Sequence, residues 1–169
     1  MARHAAFTML LTCALLCSGL ASATTTNLVV GTQEIYGPTW DAYNFTSAPN
    51  VLAEQRQVIV GMGGNQLKIK LSGSTPGDTC MSYRIGDPAC RRATSLKELA
   101  MQPAIAATLA MPGISFYHIW MYTFASGSNW LQRDWTEAGL AAEKKEVKEL
   151  ALHLLQTYNG TGKVFMCGE

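Results

Sequence analysis

Chemistry in this chain starts from a carboxylate at the end of a strand. Lys163-Val164-Phe165-Met166-Cys167-Gly168 reads as a short buried strand, and Glu169 follows it directly. A carboxyl delivered there is the candidate general acid/base, because proton transfer in a transition state needs a positioned titratable group. The alternative is a solvated glutamate beside an α-carboxylate. Other side chains gather at strand ends or in the loops after them: Gln33 and Glu34, Ser72, Tyr122 and Ser126, then Trp130 and Trp135. Gln33, Tyr122, Trp130 and Trp135 are the candidate substrate-binding residues, an amide and a phenol for hydrogen bonds and two indoles as amphipathic platforms. Packing of the two indoles under a loop is the alternative. His118 lies mid-strand among aromatics and reads as a hydrogen-bonded core residue. No second carboxylate is placed with Glu169, so whether the chain is an enzyme stays open.

The cysteines and histidines do different work. Cys80 and Cys90 flank a polar loop bearing Gly86 and Pro88, and in an oxidising compartment they are the natural disulfide pair. Cys167 is left over, as a buried small hydrophobe or the mark of a missing partner. The three histidines are scattered and no Cys/His spacing suits zinc, so neither a metal nor a cofactor is expected. Asn44-Phe45-Thr46 and Asn159-Gly160-Thr161 fit the N-glycosylation pattern, giving Asn44 and Asn159 as candidate acceptors.

Residues 1–23 explain the oxidising compartment. Arg3 and His4 precede an apolar run from Ala5 to Leu16, and small residues close on Ala21-Ser22-Ala23. That is the pattern of a cleavable secretory signal, with an uncleaved anchor as the alternative. The run is shorter than a ~20-residue membrane span. The expected product is a secreted domain over 24–169 with no stable membrane span after cleavage. Losing Arg3 brings the 13 basic residues level with the 12 acidic ones, which leaves no electrostatic footprint for nucleic acid.

Strands and helices alternate through 24–169. Leu28–Gly31, Gln66–Leu71, Ile114–Phe124 and Val164–Cys167 read as strands. A helix is expected from near Ser47 to Gly63-Gly64, with Pro49 in its first turn. A second opens at the capping box Ser95-Leu96-Lys97-Glu98 and is split by Pro103. The third, Glu143–Tyr158, places Val147, Leu150, Ala151, Leu154, Leu155 and Tyr158 on one stripe. The third strand is apolar on both faces, as a covered parallel strand requires. Lys68 and Lys70, alternating with Leu67, Ile69 and Leu71, instead suit a partly open sheet or a polar barrel interior.

Alternation of this kind argues for a parallel α/β sheet. A doubly wound sheet would usually carry a phosphate-binding turn, but Gly61-Met62-Gly63-Gly64 follows a helix and serves as a helix stop. Gly162-Lys163 is no P-loop either, because Thr157 and Val164 stand where glycine and Ser/Thr belong. A (β/α)8 barrel needs ~250 residues, so four strands here make about half of one. The chain therefore reads as the front half of something larger, with open sheet edges through which copies could associate.

Several segments together resemble a known group. Ser95–Ala100, Met111-Pro112, the aromatic strand through Tyr122 to Gly127, and Leu154–Phe165 are similar to a little-characterised family of secreted proteins with a glycoside-hydrolase-like TIM barrel. Gly31-Thr32-Gln33 and Gly64–Leu71 resemble that family's first two strands. The resemblance spans nearly all of 24–169, and Tyr158–Phe165 is its specific part.

The resemblance implies a fourth strand ending in Trp-Glu-Gly-Asp-Trp. Here Gly168 replaces the first tryptophan and Glu169 supplies the glutamate. It implies carbohydrate as the partner, with Trp130 and Trp135 stacking on sugar and Glu169 acting with a later carboxylate. Those two would stand ~5 Å apart for retention or ~6.5–9.5 Å for inversion. The expectation is a secreted, truncated glycoside-hydrolase-like barrel protein, inactive as this chain alone. The alternative is a small secreted carbohydrate- or protein-binding module without catalysis.

Overall fold

The computed structural model describes residues 31–32, 47–125 and 136–168. The segment 1–23, Gln33, Asn44, Trp130, Trp135 and Glu169 therefore lie outside the described residues. In chain order the elements are β1 (Gly31–Thr32), α1 (Val51–Gly61), β2 (Gln66–Ser72), α2 (Asp78–Ser82), α3 (Pro88–Arg91), α4 (Leu96–Ala100), α5 (Pro103–Leu109), β3 (Phe116–Tyr122), α6 (Glu137–Thr157) and β4 (Val164–Gly168).

Local chemistry sets most of the helix ends. Asn50, not Ser47, starts α1: its side-chain oxygen accepts from Ala53 N at 2.9 Å, so Pro49 stays outside the helix. Ser95 caps α4 by accepting from Glu98 N, while the Glu98 carboxylate reaches back to Thr94 N at 2.7 Å. Pro103 opens α5, where its missing N–H costs nothing, and so divides one helical stretch into two. Thr136 caps α6, which begins at Glu137, ahead of the Glu143 start that the apolar stripe predicts. On that stripe Leu150, Leu154 and Tyr158 are buried, but Leu155 is exposed.

The strands pair in sequence order, β1-β2-β3-β4, every pair parallel. Register sets Lys68 beside His118, Lys70 beside Trp120 and Ser72 beside Tyr122. The core lies on one side. Leu67, Ile69 and Leu71 of β2 and Tyr117 and Ile119 of β3 pack with Leu52, Leu99, Ile105, Leu109, Leu150 and others.

The half-barrel expectation is overturned. The sheet is small, with three strands of five to seven residues and a two-residue β1. Its six described helices are not dealt out one per strand, since four of them (α2 to α5) fill the single connection between β2 and β3. Strand–helix alternation dictates parallel pairing, but it does not dictate curvature or closure. The chain is a small parallel α/β sheet with crowded helical cover.

Two further expectations are corrected. The last strand is not buried: Val164 and Met166 are exposed, because β4 meets no strand on its outer edge among the described residues. His118 is half-buried and outside the core, because β3 buries only its odd-numbered side chains there. The Cys80–Cys90 disulfide forms as expected, joining α2 to α3 across the polar loop that bears Gly86. Cys167 is free and exposed. No helix among the described residues is long and apolar enough to cross a membrane.

Candidate functional site

The even-numbered residues of β2 and β3 form the face turned away from the core. Lys68, Phe116, His118, Trp120 and Tyr122 are half-buried there, and Lys70 and Ser72 are buried toward its margin. The Trp120 and Tyr122 rings lie 5.4 Å apart with their planes inclined by 52°. Lys68 Nζ stands 4.8 Å from the centre of the Trp120 ring, within cation–π range. Period-two alternation produces this face from the sequence: polar or aromatic residues alternate with the aliphatic ones that build the core.

A polar network closes the C-terminal end of β2. Lys70 Nζ donates to Ser82 Oγ at 2.9 Å and pairs with Asp78 Oδ1 at 3.3 Å. Ser74 Oγ donates to Asp78 Oδ2 at 2.8 Å, and Ser72 Oγ lies 2.8 Å from Ser74 Oγ. Burial pushes the Asp78 carboxyl up, but the Ser72 and Ser74 hydroxyls and the Lys70 charge outweigh it and hold the group below its ordinary range. An acid so held is ionised at neutral pH, so it accepts hydrogen bonds and is a poor proton donor. Beside this network, α2 covers the margin of β2 that the two-residue β1 leaves unpaired. The Tyr83 hydroxyl accepts from Lys70 N, and Thr79 Oγ1 accepts from Ser72 N at 2.7 Å.

Glu146 fixes the far end of β3. It is 8% exposed, and its Oε1 accepts from Leu96 N at 3.0 Å and Phe124 N at 3.1 Å, while Oε2 accepts from Ala125 N at 3.3 Å. One carboxylate thus ties α6 to the start of α4 and to the exit of β3. Gly73 completes the rim. A Cβ there would stand 2.4 Å from the Phe124 ring, so only glycine lets the β2 and β3 exits run this close.

No family model, curated protein or solved structure matches this chain. The site therefore has to be read from its own geometry.

Of the residues singled out from sequence, Tyr122 stands on the open face, and Ser72 ends β2 within the polar network. Asn159 is exposed just after α6, open to modification. Gln33, Trp130, Trp135, Asn44 and Glu169 lie outside the described residues. Sequence reading missed Trp120, Ser74, Asp78 and Ser82. The signal for Trp120 was its parity with Tyr122. The signal for Asp78 was Lys70, a cation in a strand that needs a partner. Among the described residues no three His, Cys, Asp or Glu side chains converge to hold a metal. An open groove of about 830 Å³ between α1 and α5 is lined by apolar groups such as Val60, Ala107 and Met111. Among the described residues that line it, Arg56 is the charged one.

Proposed function

We propose that this chain is a small secreted carbohydrate-binding module that holds sugar without cleaving it. The observation that carries the reading is the Trp120–Tyr122 pair, half-buried on the open sheet face and level with Lys70 and Ser72. An inclined aromatic pair offers a sugar ring an apolar platform, and neighbouring polar groups meet its hydroxyls. Two features favour binding over hydrolysis. Asp78, the carboxylate at the margin of this face, is committed to Lys70 and Ser74. Glycoside cleavage needs a second carboxyl beside a candidate such as Glu169.

Secretion is part of the reading, supported by the 1–23 pattern and by a disulfide that suits an oxidising compartment. Association of copies through the outer β4 edge is a further part, checked by sedimentation velocity over a concentration series. The test of the main reading is a glycan array probed with the wild-type chain and with Trp120→Ala. Binding that Trp120→Ala abolishes while its thermal melt stays intact supports the module. Wild-type protein that binds no glycan sinks it.

A further inference from the structure

The two lysines of the open face are treated differently by the fold. Lys70 is neutralised within the molecule by Asp78 and Ser82. Lys68, two residues earlier on the same face, has no ion pair among the described residues, and its ammonium rests over the Trp120 ring. His118, its partner in register, adds a second nitrogen donor or acceptor beside it. The positions of β2 and β3 on this face carry no carboxylate, and Asp78, which reaches its margin, is spent on Lys70.

We propose that the glycan taken by this face is anionic, its sugar ring against Trp120 and Tyr122 and its acidic substituent on Lys68. This rests on the carbohydrate-binding reading above and adds the charge class of the ligand. A half-buried ammonium that rests on a π-face, with no ion pair among the described residues, is open to a better partner. A charge-assisted hydrogen bond to a carboxylate or sulfate is stronger than the ring contact it replaces. The ring contact also keeps the flexible lysine beside the platform before ligand arrives, which lowers the ordering cost of binding. Sugar carboxylates and sulfate esters share this chemistry, and the experiment separates them.

Binding of the full chain is measured by calorimetry against polygalacturonate, against dextran sulfate, and against unmodified dextran and cello-oligosaccharides as neutral controls. Tighter binding to one of the anionic glycans than to every neutral one is expected, with the preferred anion naming the source. Lys68→Ala should cut that affinity about tenfold, the size of one charge-assisted contact, and Lys68→Arg should restore most of it. Trp120→Ala should remove the sugar component for any glycan.

Neutral glycans that bind as tightly as the acidic ones, through Trp120, would overturn the anionic assignment and leave the module standing. Poly-glutamate bound as tightly as the acidic glycans, with no effect of Trp120→Ala, would show charge attraction alone and overturn it as well. No binding to any glycan would overturn both readings together. Lys68→Ala is a half-buried surface change, and an unchanged melt confirms that its effect is on binding.

Discussion

On the core side of the sheet, Leu67, Leu71, Tyr117 and Ile119 are fully buried. One residue along the same strands, Lys68, His118, Trp120 and Tyr122 are half-buried around a lysine that sits on an indole. The two faces share backbone, register and helical connections, so only the side chains differ. A parallel sheet covered on both sides reads as apolar throughout. The lysines of β2 break that pattern, and they break it on one face. One face is packed for cohesion, and the other presents polar and aromatic side chains.

Cutting into each face should separate stability from binding. Ile119→Ala removes a fully buried side chain from the middle of β3 and leaves a cavity. It should cost about 2–5 kcal/mol, read as a lowered urea midpoint with an unchanged slope. Glu146→Ala comes next, at about 2–4 kcal/mol, because it strands backbone N–H groups of Leu96, Phe124 and Ala125 that the carboxylate now serves. Hydrogen exchange should report it as faster exchange at Phe124 and Ala125. An effect confined to the start of α4 would mean that Glu146 does not hold the β3 exit.

The disulfide should matter slightly less. Cys80 and Cys90 close a short loop, worth about 2–3 kcal/mol on the chain-entropy view. The double substitution Cys80→Ala/Cys90→Ala should lower the melting temperature by roughly that equivalent. It should also loosen α2, whose Thr79 and whose C-cap Tyr83 cover the margin of β2. Loss of stability with full protection at Lys70 and Ser72 would show that α2 stays docked without the bridge.

Acid tests the polar network. The Asp78 carboxyl is held below the ~3.9 of an unfolded aspartate. Its contribution to stability is therefore fully present above that value and is lost as pH falls through the folded one. Urea midpoints from pH 6 down to pH 2 should decline, and Asp78→Asn should make the decline shallower while lowering stability at pH 6. An identical acid profile in the variant would show that Lys70 does not depend on this pair.

Much of the architecture was legible because it follows from short-range rules. The parallel α/β class came from alternation, the capping of α4 from Ser95 and Glu98, the split at Pro103 from a missing N–H, and the disulfide from loop chemistry. Closure was not legible, since a barrel and an open sheet use the same strand pattern, and the half-barrel expectation failed on that point. The exposure of Val164 and Met166 was also hidden, because an apolar strand at a sheet edge has the same composition as one at its centre. On the site, Tyr122 could be seen from its strand-end position. Trp120 was absorbed into an aromatic run, since composition says nothing about which parity faces the core. Asp78 was invisible until the turn after β2 brought it back to Lys70.

The smallest expected stability effect is the most instructive. Trp120 is the largest side chain on the open face, yet it is absent from the core cluster and only half-buried. A residue placed for cohesion would cost several kcal/mol when truncated. Trp120→Ala should instead cost about 1 kcal/mol or less, because it surrenders partial burial, the Tyr122 ring contact and the Lys68 ammonium but opens no internal cavity. Thermal melts of Trp120→Ala and Ile119→Ala side by side give the comparison directly. A small shift for the first and a large one for the second mean that the sheet keeps an indole where it adds little to folding, as a binding face would. Equal shifts would mean that Trp120 is packed like a core residue, and the distinction between the two faces would fail.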